Sequence, residues 1–374
     1  MTEPARFPSS VYADRIARAA QLAARAGISA LLITPGPDLH YLVGVPSETH
    51  ERLTCLVIPT NGTRASIVVP TLEIATLRDS AAGELGLELH TWNDGENAYE
   101  IVRGLIPEDG HVVVTEAMPA LHLIPLAAAL GELPQLATPM IRELRMIKDQ
   151  AEIAALRRAG DAIDRVHARM GEWLRAGRTE ADVAADIEAA LIEEGHTSAA
   201  FIIVGAGPNG ADPHHEVSDR VIEPNDIVVI DIGGPVAPGY NSDSTRTYCV
   251  GTPAPEIAEQ YALLEKAQAA GVAAVRPGAT AEEIDAVTRD VLTEAGLGEF
   301  FLHRTGHGIG LSVHEEPYIV AGNDLELRPG MTFSVEPGIY FSGRWGARIE
   351  DIVLVTPEGC ETLNNQPRGL RSLQ

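Results

Sequence analysis

The chain reads as two domains: an α/β domain over residues 1–140, then an α+β domain over 141–374 made of two related αβ halves. Three observations lead there. At 374 residues the chain exceeds what one ordinary core holds. Its N-terminal part alternates helical periodicity with short β-rich runs. Its later part nearly repeats itself, with GRTEADVAADIEAALIEEG at 177–195 matching GATAEEIDAVTRDVLTEAG at 278–296.

Residues 14–26 carry Ile16, Ala19, Ala20 and Ala23 at helical spacing, and Gly27 stops that helix. ISALLITPG follows as a short buried strand. CLVIP and ASIVVP are further apolar runs, each closed by proline, and are expected as strands. LEIATLRDSAA and IPLAAALGEL are expected as helices, and HVVVTEA as another strand. His40, His50, His90, His111 and His122 stand alone in this region, which predicts structural or exposed roles.

A different pattern begins near Met146. The segment 148–170 places Ile153, Leu156, Ile163, Val166 and Met170 on one face of a long amphipathic helix. In the repeat, Gly177 pairs with Gly278, Thr179 with Thr280, Val183 with Ile284, Leu191 with Leu292 and Gly195 with Gly296. Both copies open on a capping-box pattern, Thr179 with Asp182 and Thr280 with Glu283. Matched caps and terminal glycines predict two αβ halves related by a pseudo-twofold axis.

Composition narrows the function. The hydrophobic share is 45 %, no apolar run reaches a membrane span, and the N-terminal residues show no signal-peptide pattern. A net charge of −25 repels phosphate backbones, so nucleic acid is not expected as a partner, nor is a membrane. Cys55, Cys249 and Cys360 are scattered without a CxxC, which predicts free thiols and a cytoplasmic location.

The chemistry is concentrated in five side chains: Asp231 in VVIDIGG, Asp243 in YNSDSTRT, His307 in HRTGHGIG, Glu336 in SVEPGIY and Glu350 in ARIEDIV. Carboxylates that end or interrupt apolar β runs need partners, because an unpaired buried charge is costly. Four carboxylates and one imidazole suit divalent manganese, cobalt or zinc, and carry enough charge to hold two ions. Asp231 and Asp243 come from the first half and the other three from the second, so the site is expected between the halves. Arg348 and Thr245 are expected to support the ligands from behind. His214, His303 and His314 are candidates for proton transfer or oxyanion contact.

The runs DIGG…NSDSTRT, HRTGHGIGLSVHE, VEPGIY and RIED resemble the metal-dependent pita-bread peptidases (family M24), in particular their proline-specific branch of Xaa-Pro dipeptidases (prolidases) and aminopeptidase P. The resemblance covers the whole chain. It implies a creatinase-like N-terminal domain and a pita-bread catalytic domain. It also implies two metal ions on Asp231, Asp243, His307, Glu336 and Glu350, with Asp243 and Glu350 bridging. Glu336 would serve as general base on a bridging hydroxide or water. His214 and His314 would contact substrate, with His303 in the outer pocket. Small proline-containing peptides are the implied substrates, manganese the expected metal, and a homodimer the expected assembly.

Two departures stand out. Asp231 and Asp243 are twelve residues apart (243 − 231), one more than usual in that family, which predicts a longer hairpin turn. Tyr318 stands where some prolidases carry an arginine that holds the substrate carboxylate, so another cation, or steric exclusion, must favour dipeptides. An Xaa-Pro dipeptidase is the leading reading. Aminopeptidase P acting on longer peptides comes second. A metal-independent creatinase-like hydrolase and a non-catalytic binding protein on this fold are set aside because all five ligand positions are filled.

Overall fold

The computed structural model describes residues 6–374 apart from 45, 79, 108 and 109. Its contacts divide the chain into two units, Met1–Arg145 and Met146–Gln374. Position 140 falls inside the helix Thr138–Met146, and the division comes at the end of that helix.

The first unit holds a six-stranded mixed sheet in the order Glu88–Trp92, Ser66–Pro70, Cys55–Pro59, Ala30–Ile33, Val112–Val114, Gln135–Leu136. Ala30–Ile33 pairs antiparallel with Cys55–Pro59 and parallel with Val112–Val114. One face packs on the helices Ala98–Gly104 and Ala120–Leu130 through Leu32, Val57, Val102 and Leu126. The helix expected over LEIATLRDSAA does not form. Thr71–Leu77 is a 3₁₀ run with no buried residue, and Leu72 and Ile74 are 76 % and 41 % exposed. With no apolar stripe to bury, an isolated stretch of this length lacks what stabilises an α-helix in a protein. Asp79 of that segment lies outside the described residues. His122 is buried, with Tyr99 Oη 3.1 Å from Nδ1 and the His50 carbonyl 2.8 Å from Nε2.

The second unit opens with the helix Gln150–Ala168, whose capping box joins Asp149 and Glu152. The two repeat copies become the helices Glu180–Glu193 and Ala281–Glu294, each with a complete capping box. Their surroundings match as well. Gly177 N donates to Ile222 O, and Gly278 N to Leu327 O, both at 2.9 Å. Glu180 N donates to Arg220 O, and Ala281 N to Leu325 O, both at 3.0 Å. Two αβ halves thus share one local hydrogen-bond scheme. The first half contributes the sheet Tyr240–Val250, Ile227–Val236, Phe201–Ala206, and the C-terminal strand Arg371–Leu373 completes its edge beside Tyr240–Val250. The second contributes Glu315–Ile319, Gly306–Gly308, Thr332–Val335, Asp351–Thr356, Gly359–Thr362, with Gly338–Phe341 and Trp345–Arg348 as a separate pair. The fold is therefore an α/β domain followed by an α+β domain built of two related αβ halves. Among the described residues no helix is long and apolar enough to cross a membrane.

Candidate metal centre

Strand register explains how residues distant in sequence converge. Ile227–Val236 and Tyr240–Val250 run antiparallel with Asp231 opposite Thr245 and Gly233 opposite Asp243. Residues that oppose one another, and those two further along, share a face, so both aspartates and Thr245 point the same way. Val236 still pairs with Tyr240, which leaves a three-residue loop at 237–239. The twelve-residue spacing is therefore absorbed without disturbing the ladder.

The second half uses a different device. Thr332 pairs with Leu354, Val335 with Asp351, Gly338 with Arg348 and Phe341 with Trp345. Each pair sums to the same number (335 + 351 = 338 + 348), so the two short strand pairs belong to one antiparallel ribbon. The ladder breaks between them, at Glu336–Pro337 and Ile349–Glu350. Pro337 has no N–H to offer, and its carbonyl accepts from Ile349 N at 3.2 Å. Released from the ladder, Glu336 N donates to Thr305 O at 2.8 Å and Glu350 N donates to Thr245 O at 3.1 Å. Glu350 is thereby tied to the first half, and Arg246 Nη1 holds its carbonyl at 2.6 Å. Glu350 lies in the link after the strand Trp345–Arg348, two residues beyond Arg348, and both side chains reach Thr245.

His307 sits on Gly306–Gly308, squeezed between two neighbours. A Cβ on Gly306 would lie 1.8 Å from Ser334 O, and one on Gly308 would lie 2.2 Å from Glu316 O, so no larger residue fits either position. His307 Nε2 is 3.2 Å from Glu336 Oε1 and 3.7 Å from Asp243 Oδ2. One ligand atom each from Asp243, His307 and Glu350 lie within 4.8 Å of one another. Asp231 and Glu336 border the same cavity, each with one oxygen engaged. Arg348 Nη2 meets Asp231 Oδ2 at 2.5 Å, and Ser334 Oγ donates to Glu336 Oε1 at 2.9 Å. Thr245 Oγ1 donates to Glu350 Oε2 at 2.8 Å, and Arg348 Nε donates to Thr245 Oγ1 at 3.0 Å.

The electrostatics call for cations. Burial, followed by repulsion from neighbouring carboxylates, raises the Asp243 and Glu350 carboxyls well above their usual range. Asp231 Oδ1 and Glu350 Oε1 are buried without a hydrogen-bond partner. Orphaned anionic oxygens beside further carboxylates are costly unless a positive ion joins them. The donor set, oxygens with one imidazole, is the kind that divalent ions accept. These residues fit a metal centre.

The cavity holds about 800 Å³. Asp231, Asp243, His307, Glu336 and Glu350 line it, together with His214, His303, His314 and Arg348. Thr245 lies behind them. His314 packs edge-on against His307, with ring centroids 4.0 Å apart. His214 enters the cavity, whereas its neighbour His215 turns away to Glu180 Oε2 at 2.8 Å. His303 Nε2 lies 2.8 Å from Tyr340 Oη, which accepts from Arg348 Nη1 at 2.7 Å. Tyr340, Ser334, Arg246 and Arg304 are site residues that sequence reasoning passed over. All four lie inside or beside the motif runs. Tyr340 stands four residues after Glu336, on the same ribbon face by period two, and that spacing was the available signal.

Comparison with known proteins agrees with the geometry. Residues 154–357 match "Metallopeptidase family M24", and residues 15–147 match "Creatinase/Prolidase N-terminal domain". The chain belongs to metallopeptidase family M24 and is a metallopeptidase. It is 60 % identical over 366 residues to "Probable dipeptidase PepE" of Mycobacterium bovis, covering 98 % of this chain and 97 % of that protein. It is 36 % identical to an "Xaa-Pro dipeptidase" of Lactobacillus helveticus, covering 89 % of this chain and 92 % of that protein. The crystal structure of dipeptidase PepE from Mycobacterium ulcerans superposes with a TM-score of 0.95 at 58 % identity, covering 98 % and 99 % of the two chains.

Proposed function

We propose that this chain is an Xaa-Pro dipeptidase that hydrolyses the bond between a first residue and a C-terminal proline. The observation that carries this is the convergence of Asp231, Asp243, His307, Glu336 and Glu350 in one cavity, with two buried carboxylate oxygens unpartnered. The proline preference draws its support from the Lactobacillus helveticus relative, which is named for that activity.

Asp231, Asp243, His307, Glu336 and Glu350 would hold two divalent ions. Bound there, such ions supply an activated water and polarise the scissile carbonyl. The chain's own residues do the rest. Glu336, held by Ser334, takes up the proton of the attacking water. Arg348 fixes Asp231 and, through Thr245, Glu350, so that neither carboxylate swings away from the centre. His314 and His214 contact substrate and donate to the oxyanion that develops. His303, joined to Tyr340, borders the outer pocket. Manganese as the metal, a homodimer and a cytoplasmic location complete the reading, and metal analysis and light scattering test the first two.

The deciding experiment compares an Xaa-Pro dipeptide, the matching Xaa-Pro-Xaa tripeptide and an Xaa-Ala dipeptide after manganese loading. The Xaa-Pro dipeptide is expected to be cut fastest. Faster cleavage of the tripeptide moves the protein to aminopeptidase P activity, and equal cleavage of Xaa-Ala removes the proline preference.

A further inference from the structure

Four of the side chains around the cavity are carboxylates, so a substrate that itself ends in a carboxylate needs a cation there. Arg348 cannot serve. Its guanidinium is buried and already meets Asp231, Thr245, Tyr340 and the Pro213 carbonyl. The other arginine lining the cavity is Arg304, and it is half-buried. Among the described residues its guanidinium has no hydrogen bond or ion pair. Its one contact of note is with a ring: the guanidinium carbon lies 4.5 Å from the centroid of Tyr318. Tyr318 is on Glu315–Ile319 directly opposite His307, so the stacked pair stands beside a metal-ligand position. Stacking fixes the plane of a guanidinium and leaves its N–H fork free for a planar, bidentate partner. The nearest carboxylate on the Tyr318 strand for which a bond is seen, Glu315, is taken by Lys148 at 2.5 Å.

We propose that Arg304 binds the free C-terminal carboxylate of the dipeptide substrate, with Tyr318 serving as the platform that orients it. Tyr318 occupies the position where some prolidases carry an arginine, and the guanidinium is delivered over it from the segment that leads into the adjoining strand Gly306–Gly308. Arg304 is thus a specificity-determining residue. It rewards a substrate whose chain ends at proline and gives nothing to one that continues. This inference rests on the dipeptidase reading above.

The test measures kcat and KM for an Xaa-Pro dipeptide and for its C-terminal amide, which has the same size but no charge. Wild type, R304Q and R304K are compared, with metal content and thermal midpoint recorded for each. Wild-type enzyme is expected to prefer the acid. R304Q is expected to raise KM for the acid by about tenfold to a hundredfold, the range of a lost charge-assisted pair, and to leave KM for the amide nearly unchanged. R304K keeps the charge without the fork and should fall between. A wild-type enzyme indifferent to amidation, or an R304Q enzyme that loses acid and amide equally, overturns the assignment while leaving the dipeptidase reading in place. A wild-type enzyme that favours the tripeptide over the dipeptide overturns that reading and the carboxylate site with it.

Discussion

Glu336 and Glu350 face one another across a break in a single antiparallel ribbon, in register with the Val335–Asp351 pair on one side and the Gly338–Arg348 pair on the other. Each glutamate donates its backbone N–H to a different element, Thr305 for one and Thr245 for the other. The break frees two acidic residues from the sheet and turns them into the same cavity. A ribbon with an unbroken ladder would have no such place for them.

Replacing Glu350 by Gln should separate metal binding from folding. In the metal-free protein Glu350 is buried against Asp243, so a neutral side chain of equal size relieves repulsion. Metal-free E350Q is expected to melt above metal-free wild type, while metal-loaded E350Q melts below its wild-type counterpart. Bound manganese should fall below the about two equivalents expected of a paired site, and hydrolysis should drop to background. A variant with wild-type activity would show that Glu350 is not a ligand.

His314 lies against His307, yet the proposed metal-ligand set is complete without it. His314→Ala is expected to lower kcat/KM by about a hundredfold, in the range of lost proton-transfer or oxyanion assistance, with metal content unchanged. Loss of metal in this variant would make His314 a ligand.

Glu180 is fully buried and gathers the segment that presents His214. Its carboxylate accepts from Ala206 N at 2.8 Å, Asn209 Nδ2 at 3.0 Å, Ser218 Oγ at 2.6 Å and His215 Nε2 at 2.8 Å. Glu180→Ala takes the shared acceptor from all four donors, of which Asn209 Nδ2 keeps a second partner in Ser218 Oγ at 3.3 Å, so stability should fall by about 3–5 kcal/mol in urea denaturation. KM should also rise, because His214 is no longer held against the cavity. An E180A enzyme with unchanged KM would disconnect this network from substrate binding.

Stability should fall as the solution is acidified through a defined window. Burial holds His167 down to about 3 and His196 down to about 4, against an ordinary value of 6.5. The unfolded chain therefore takes up protons below about pH 6.5 while these two folded-state imidazoles stay neutral. Their contribution is complete above about pH 6.5 and is lost as the pH drops toward 4, by up to about 1.4 kcal/mol per pH unit for each. His196 meets Ser242 Oγ at 2.7 Å, and His167 meets Tyr248 Oη at 3.0 Å. Denaturation profiles of His167→Gln and His196→Gln should be flatter across this window than those of wild type. Profiles parallel to wild type would assign the acid sensitivity to other groups.

Much of this protein could be read along the chain because the relevant signals are local. The capping boxes at Thr179 and Thr280, the stripe from Ile153 to Met170 and the alternating apolar strands each depend on residues within a turn or two. Local patterning failed at Thr71–Leu77, where leucine and isoleucine were present but no packing partner buried them. The five side chains that line the cavity and are proposed to hold metal were legible as carboxylates and a histidine interrupting apolar runs. Which atoms approach one another was not. That Arg348 meets Asp231 rather than Glu350, that His215 belongs to Glu180 while His214 enters the cavity, and that Arg304 lies over Tyr318 all depend on how strands and the segments joining them, far apart in sequence, are brought together. A strand's own residues state which faces are apolar. Only pairing across the sheet, where a shift of one position reverses every side chain, decides which polar groups meet.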